Sequence, residues 1–241
     1  MRNRFVATAA VRVALALLVL VSACQARPMM LPADADDAQR MVVEGDGGWT
    51  GNSPFRFGAY EVDSIDRSWG RGSGVATSQG GVGGRRDAMA QDYAFVMRAD
   101  GETVRVECAS EVSAGTVDVQ VVQIEASANA SLDCNRRGGS GEPAWQLTLR
   151  SERGRPLAGI LSFGSTTYDV RAQAREVVGN WQTSGYEVLS GGRVVAVVQT
   201  AAGSARFVWL APALDGEERD AIATVAATML VHRELEPDSD D

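Results

Sequence analysis

The feature that most constrains this fold is an uncharged segment near the carboxyl end of the chain. Residues 221–231 read AIATVAATMLV and place no charge on any face of a helix. A helix that is apolar all round must be buried on every side. Its 11 residues are too few to span a bilayer, which takes about 20. The sequence therefore predicts a helix enclosed by the rest of the domain.

The predicted helix covers residues 217–235. Asp215 stands at the position of an N-cap, and acidic residues fill the first turn, where they complement the helix dipole. His232, the only histidine, lies near the end of the helix and is interpreted as a structural residue that complements the dipole there. The acidic residues 236–241 form a solvated tail.

Short segments before the helix alternate between apolar and polar residues, as strands do. Turn signals at Asp100-Gly101 and at Gly191-Gly192 join neighbouring segments into hairpins. The alternation of apolar and polar residues changes phase at Val122, and this change is expected to mark a β-bulge. About ten such segments predict a mostly β fold, a closed antiparallel β-barrel or a sandwich around a buried apolar C-terminal α-helix.

The amino terminus has the pattern of an export signal. Arg2 and Arg4 are followed by an uncharged run over residues 13–23, which suits a signal-peptide core rather than a membrane span. The run ends in Val-Ser-Ala-Cys24, which resembles the lipobox of bacterial lipoproteins. The expectation is a signal peptide over residues 1–23 and lipidation of Cys24. The alternative is an ordinary secretory signal with a chance cysteine.

The segment after Cys24 predicts a linker between the lipid and the folded domain. Residues 24–40 are rich in Pro, Ala, Asp and Gln without periodicity, which predicts a flexible tether before a single domain over residues 41–235. Gln25 follows the cysteine, and a residue other than Asp there favours the outer membrane, facing the periplasm.

Two cysteines remain in the exported chain. Cys108 and Cys134 predict a disulfide, with two buried free thiols as the alternative. Two cysteines and one histidine do not suffice for a closed tetrahedral zinc site. No metal and no cofactor are expected.

The charged residues of the chain argue against several classes of function. Beyond residue 23 the chain carries 20 arginines against 31 acids, a net charge of −11, and no lysine. Such a surface repels phosphate backbones, so no nucleic-acid partner is expected. The absence of lysine excludes Schiff-base chemistry and a P-loop.

The segment over residues 69–92 contains seven glycines, but it lacks the lysine and hydroxyl residue of a phosphate-binding loop. It is expected to be a long loop between strands. Arg71, Arg85 and Arg86 would make that loop locally basic, and it is the first candidate for a contact surface.

Many strands followed by an apolar helix resemble the tubby-like superfamily, which includes tubby C-terminal domains, LURP-one-related proteins and phospholipid scramblases. The resemblance rests on residues 209–215 and 221–231, with support from residues 145–149 and 186–188. It implies a twelve-stranded barrel around a central helix over residues 41–235. The family activities do not transfer, because the phosphoinositide site uses lysine and no scramblase-like calcium segment is visible.

Three functional hypotheses follow. The leading one is a non-catalytic envelope lipoprotein, a structural or binding module held to the membrane by its lipid. The second is a periplasmic enzyme that uses carboxylates such as Glu61, Asp63 or Asp66 on saccharide or peptidoglycan fragments. The third is a lipid-interacting relative of the scramblases. A serine hydrolase is not expected, because no Gly-x-Ser-x-Gly elbow occurs.

Overall fold

Thirteen strands and one helix make up the described part of the chain. The computed structural model describes residues 29–36, 39–45, 52–68, 70–79, 82–119, 122–137, 143–153, 155–177, 180–201 and 205–232. The elements are β1 (Met41–Val42), β2 (Phe55–Phe57), β3 (Tyr60–Arg67), β4 (Arg71–Gln79), β5 (Val82–Ala99), β6 (Glu102–Val119), β7 (Val122–Arg137), β8 (Pro143–Glu152), β9 (Ala158–Phe163), β10 (Thr166–Val177), β11 (Asn180–Ser190), β12 (Arg193–Gln199), β13 (Phe207–Leu210) and α1 (Gly216–Val231).

Twelve of the strands form a nearly closed antiparallel barrel. Their order is β1-β13-β12-β11-β10-β9-β8-β7-β6-β5-β3-β2, and β4 pairs with β5 outside this path. The first strand joins the two ends of the sheet. Met41 of β1 pairs with Val208 of β13, and Glu44 exchanges two backbone hydrogen bonds of 2.9 Å with Arg56 of β2. The barrel is confirmed, and the alternative of a sandwich does not apply.

Helix α1 fills the barrel. Every residue from 221 to 231 is at most 6% exposed, and the helix contacts β3, β5, β11, β12 and β13. Its two threonines do not leave polar atoms unsatisfied in this apolar interior. The Thr224 hydroxyl donates to the Asp220 carbonyl (2.6 Å), and the Thr228 hydroxyl donates to the Thr224 carbonyl (3.0 Å). The prediction of an enclosed helix is confirmed.

The ends of α1 differ from the prediction. Asp215 occupies the N-cap position with extended backbone, but its side chain makes no capping hydrogen bond. The helix ends at Val231 rather than at residue 235, because His232 takes an extended conformation (φ −58°, ψ 137°). The Arg67 guanidinium donates to the Val231 carbonyl and so satisfies one of the terminal acceptors. The predicted tail over residues 236–241 lies outside the described residues.

The barrel has two unlike ends. At the end where α1 begins, Tyr60 donates to Asp220 (3.0 Å) and Tyr168 donates to Glu218. These bonds fix acidic side chains beside the positive end of the helix dipole. The end where α1 stops is called the extended end here, because several strands run past the barrel rim on that side.

β5 and β6 are 18 residues long and exceed the barrel. β3 pairs with β5 only as far as Tyr93, and β4 then continues along β5 from Ala90 to Val82. The projecting sheet consists of β4, residues 82–92 of β5, 109–119 of β6 and 122–131 of β7. The projecting hairpin consists of residues 172–177 of β10 and 180–184 of β11.

The prediction of a loop over residues 69–92 was therefore wrong. The glycine-rich segment forms β4 and the first part of β5, which pair from Arg71↔Ala90 to Gln79↔Val82. Close approach explains one of its glycines, since a Cβ on Gly74 would lie 2.7 Å from an Asp87 carboxylate oxygen. Glycine here permits a tightly paired sheet instead of marking a loop.

A change of phase in the sequence proves to be a hairpin. Val122 does not follow a bulge: β6 ends at Val119 and β7 begins at Val122, which pairs with it. The expected hairpin at Asp100-Gly101 is confirmed, with both turn residues at positive φ. A hairpin and a bulge change the apolar alternation in the same way, so sequence pattern alone did not separate them.

Part of the predicted tether belongs to the domain. Met29 is 6% exposed, and its backbone N–H donates to Oε1 of Gln199 (2.8 Å). Gly185 makes room for it, because a Cβ there would lie 2.2 Å from the Met29 sulfur. The prediction of a flexible tether over all of residues 24–40 was therefore wrong at Met29, which packs on the barrel.

We predict that Gly159→Ala destabilises the barrel. A Cβ at Gly159 would lie 2.0 Å from the Thr148 carbonyl oxygen of the neighbouring strand. The two strands would have to move apart to accommodate the methyl group. This distortion should lower the free energy of unfolding by at least about 1–3 kcal/mol. The control is Gly72→Ala, whose Cβ would meet nothing within 4 Å. Urea unfolding followed by circular dichroism measures both. Equal stability of the two variants would contradict the close approach of β8 and β9.

Candidate functional site

A cavity of about 150 Å³ lies at the extended end, between the projecting sheet and the projecting hairpin. Its walls come from β6, β7, the β8–β9 connection, Thr183 of β11 and the residue that follows α1. Val112, Ala128, Ala130, Pro156 and Leu157 supply apolar surface, and Ser110 and His232 supply polar groups. An engineered apolar cavity of this volume binds one benzene molecule. The space therefore has room for a ring-sized group.

Ser110 is the most buried hydroxyl residue in this cavity. It is 6% exposed, and its hydroxyl makes no hydrogen bond within the described residues. Its neighbour Ser151 is satisfied, because that hydroxyl donates to the Arg155 carbonyl and holds the β8–β9 connection closed.

His232 lines the same cavity, and its environment keeps it neutral. Burial lowers the pKa of the imidazole to about 4, and the nearby Arg67 guanidinium acts in the same direction. Its Nδ1 is buried without a hydrogen-bond partner. The expectation that His232 complements the helix dipole as a cation was therefore wrong. Arg67 takes that role, since it donates to Val231 and also lies over the Tyr93 ring (5.2 Å).

Ser110 and His232 do not form a catalytic pair. No hydrogen bond joins them, and no described carboxylate accepts from the imidazole to orient it as a general base. A nucleophilic serine requires both contacts.

The arginines predicted as a contact surface are not one basic patch. Register places Arg71 and Arg86 on one face of the projecting sheet and Arg85 on the other. Arg71 pairs with Asp92 (2.8 Å), and Arg85 pairs with Asp87 (2.8 Å). Within the described residues only Arg86 of the three makes no ion pair. The local basic charge expected for this segment is largely neutralised.

The three carboxylates considered for glycosidase chemistry do not all line one groove. Asp66 lines an open groove of about 530 Å³ on the outer barrel wall. Glu61 and Asp63 line a different groove. The register shift between Asp63 and Asp66 separates them, and Asp63 forms an ion pair with Arg98.

Arginine also neutralises most of the groove that Asp66 lines. Asp92 pairs with Arg71, Glu107 with Arg105 (3.5 Å) and Asp133 with Arg150 (2.9 Å). Each of these pairs is partly exposed, so it contributes little to stability.

Cys108 and Cys134 are joined by a disulfide, as predicted. They are directly paired across β6 and β7, with both side chains buried in the barrel. The sequence separation is 26 residues. A loop of this size corresponds to about 3–4 kcal/mol of stabilisation in the chain-entropy description.

Cys24 and the predicted signal peptide over residues 1–23 lie outside the described residues. Among the residues that the structure does describe, no helix is long and apolar enough to cross a bilayer. The same residues contain no cluster of three or more metal-ligating side chains.

Sequence reasoning missed the docking of Met29 and the two arginines at the end of α1. Arg206 lies 3.5 Å from the Leu230 carbonyl, beside the Arg67 contact. No local pattern marks these residues, because each acts on a partner more than 20 positions away. Comparison of the chain with protein-family models, with curated proteins and with solved structures gives no match.

We predict that stability falls as the pH is lowered from about 6.5 to about 4. Between these values the unfolded chain binds a proton at His232 that the folded chain does not. Protonation of this group should lower the free energy of unfolding by at most about 3 kcal/mol. Because His232 is the only histidine, imidazole NMR signals report its pKa without overlap. His232→Gln should remove this part of the pH dependence, and a folded-state pKa near 6.5 would contradict the environment described.

Proposed function

We propose that this protein is a lipid-anchored, non-catalytic component of the cell envelope that acts as a structural or binding module. One observation carries the proposal: α1 fills the barrel. Barrels that transport small ligands keep an open interior, whereas this one has none. The domain therefore acts through its outer surface and through the strands that leave its rim.

The amino-terminal sequence supports the location. A positively charged start, an uncharged core and the Val-Ser-Ala-Cys24 sequence favour export and lipidation, and Gln25 favours the outer membrane. The Cys108–Cys134 disulfide supports an oxidising compartment such as the periplasm.

The architecture also supports a relation to the tubby-like superfamily. Twelve strands around a carboxyl-terminal apolar helix are what that resemblance implies. The proposal concerns ancestry of the fold and carries no activity with it. The absence of lysine still speaks against a phosphoinositide site of the tubby kind.

The anchor is tested by Cys24→Ala in the full chain. Without the thiol there is nothing to acylate, so the exported protein should move from the membrane fraction to the soluble periplasmic fraction. Ser22→Ala is the matched control, because it keeps a small residue before the cleavage site and should leave the protein in the membrane fraction. Mass spectrometry of the amino-terminal peptide should show acyl chains on Cys24. An unmodified cysteine in a membrane-bound chain would refute the anchor.

The absence of catalysis is tested at the two sites where it could occur. Hydrolysis of a chromogenic short-chain ester by the wild type should equal that by Ser110→Ala, which removes the cavity hydroxyl. Release of soluble fragments from peptidoglycan should be absent for the wild type and for Asp66→Asn alike. A rate that drops at least tenfold in either variant would overturn the non-catalytic assignment, provided that circular dichroism shows the variant folded.

A further inference from the structure

The inward face of the barrel wall continues past the end of α1, but its side chains become smaller there. On β7, Leu132 is 0% exposed within the core, and the next two positions on the same face are Ala130 and Ala128. On β8, the buried Leu149 is followed on that face by Ser151. Ala130 pairs directly with Ser151, so these small side chains lie side by side. Their small size leaves the cavity of about 150 Å³ open beyond the helix.

The β8–β9 connection, which supplies another wall of the cavity, is fixed by hydrogen bonds. The Ser151 hydroxyl donates to the Arg155 carbonyl, and the Ala172 backbone N–H donates to the Leu157 carbonyl (2.9 Å). The Leu157 side chain packs into the core and is 7% exposed. The cavity is therefore preformed, and a ligand does not have to order this connection on binding.

Two polar side chains on the cavity wall have unused hydrogen-bonding capacity. The Ser110 hydroxyl makes no hydrogen bond within the described residues, and Nδ1 of His232 is buried without a partner. The imidazole is neutral near pH 7, because burial lowers its pKa, and a neutral imidazole offers one donor and one acceptor. A buried polar group without a partner is unfavourable. A ligand hydroxyl in the cavity would supply the missing partner.

The charges around the cavity favour a neutral ligand. Among the described residues that line it, only Glu111 and Arg155 are charged. Both are exposed and their charges are opposite, so neither sign dominates. A charged ligand group would lose its hydration in the cavity without a buried partner of opposite charge, which is costly.

We propose that this cavity binds a small neutral ring molecule that carries a hydroxyl group, as phenol does. The ring occupies the apolar space lined by Val112, Ala130 and Leu157, and its hydroxyl pairs with Ser110, beside the His232 imidazole. Strands that pass the barrel rim form the site, so it is compatible with an interior filled by α1. This inference goes beyond the function proposed above and does not depend on lipidation of Cys24.

The site is tested by titrating phenol into the full exported chain with Cys24→Ala, which carries no acyl chain for phenol to dissolve in. The imidazole NMR signals of His232, the only histidine, should shift in a saturable way. Ala130→Leu should weaken the affinity at least about tenfold, because its side chain fills the space. Ala158→Leu is the matched control, the same substitution at an exposed position of β9, and it should bind phenol as the parent does.

The hydroxyl contact is tested by comparing phenol with benzene. Ser110→Ala should reduce the ratio of phenol affinity to benzene affinity about fivefold, because it removes one hydrogen-bond partner and keeps the apolar wall. Ser113→Ala is the matched control on β6, since Ser113 is described and does not line the cavity. An unchanged ratio in Ser110→Ala would refute the assigned hydrogen bond.

Three further outcomes would overturn the proposal. The first is the absence of a saturable shift at His232. The second is equal phenol affinity in Ala130→Leu and Ala158→Leu, which would place binding elsewhere. The third needs no variant: the parent chain should show nuclear Overhauser effects from the phenol ring to the methyl groups of Ala130 and Leu157, and their absence would exclude this cavity.

A tyrosine side chain of a partner protein carries the same chemical group as phenol. N-acetyltyrosinamide distinguishes the two sources, because it presents that group on a peptide backbone. A small free ligand predicts that N-acetyltyrosinamide binds more weakly than phenol. Tighter binding of the amide would assign the cavity to a tyrosine of a partner and overturn the small-molecule assignment.

Discussion

The whole structure depends on enclosing an uncharged helix in a dry interior. α1 has no polar face to offer to water, so twelve strands must surround it on every side. Side chains from the surrounding strands contact both ends of this helix. At its beginning the tyrosine hydroxyls of Tyr60 and Tyr168 hold the acidic first turn, and burial together with the Asp220 bond raises the pKa of Tyr60 to about 12. At its end Arg67 and Arg206 approach the last carbonyls.

Helix α1 occupies the interior of the barrel, and the two ends of the barrel differ in structure. The end where α1 begins has a short rim sealed by tyrosine–carboxylate contacts. The extended end gathers the docked Met29, the small cavity around Ser110 and His232, and strands longer than the barrel requires. Met29, the first residue that the structure describes, and the protruding strands lie at the same end of the domain.

Local pattern predicted those parts of the fold in which a residue's role follows from its near neighbours. The apolar run of α1, the Asp100-Gly101 hairpin and the alternation of Trp145, Leu147 and Leu149 all correspond to the structure. The same reasoning failed at residues 69–92, where glycines serve strand pairing, and at Val122, where a hairpin produces the phase change expected of a bulge. His232 was misjudged because its neutrality comes from burial and from Arg67, which is distant in sequence.

The sequence by itself determined that the chain has a buried helix, a strand-rich domain around it, a pair of cysteines available for a disulfide and a signal-like amino terminus. These properties follow from composition and short-range periodicity, both of which can be read directly from the amino-acid sequence. Tertiary structure alone decided that Met29 docks beside Gly185, that acids and arginines neutralise each other across strands, and that the long strands leave the barrel where the helix ends. Each of these depends on strand register, which brings distant residues together and cannot be read from local pattern.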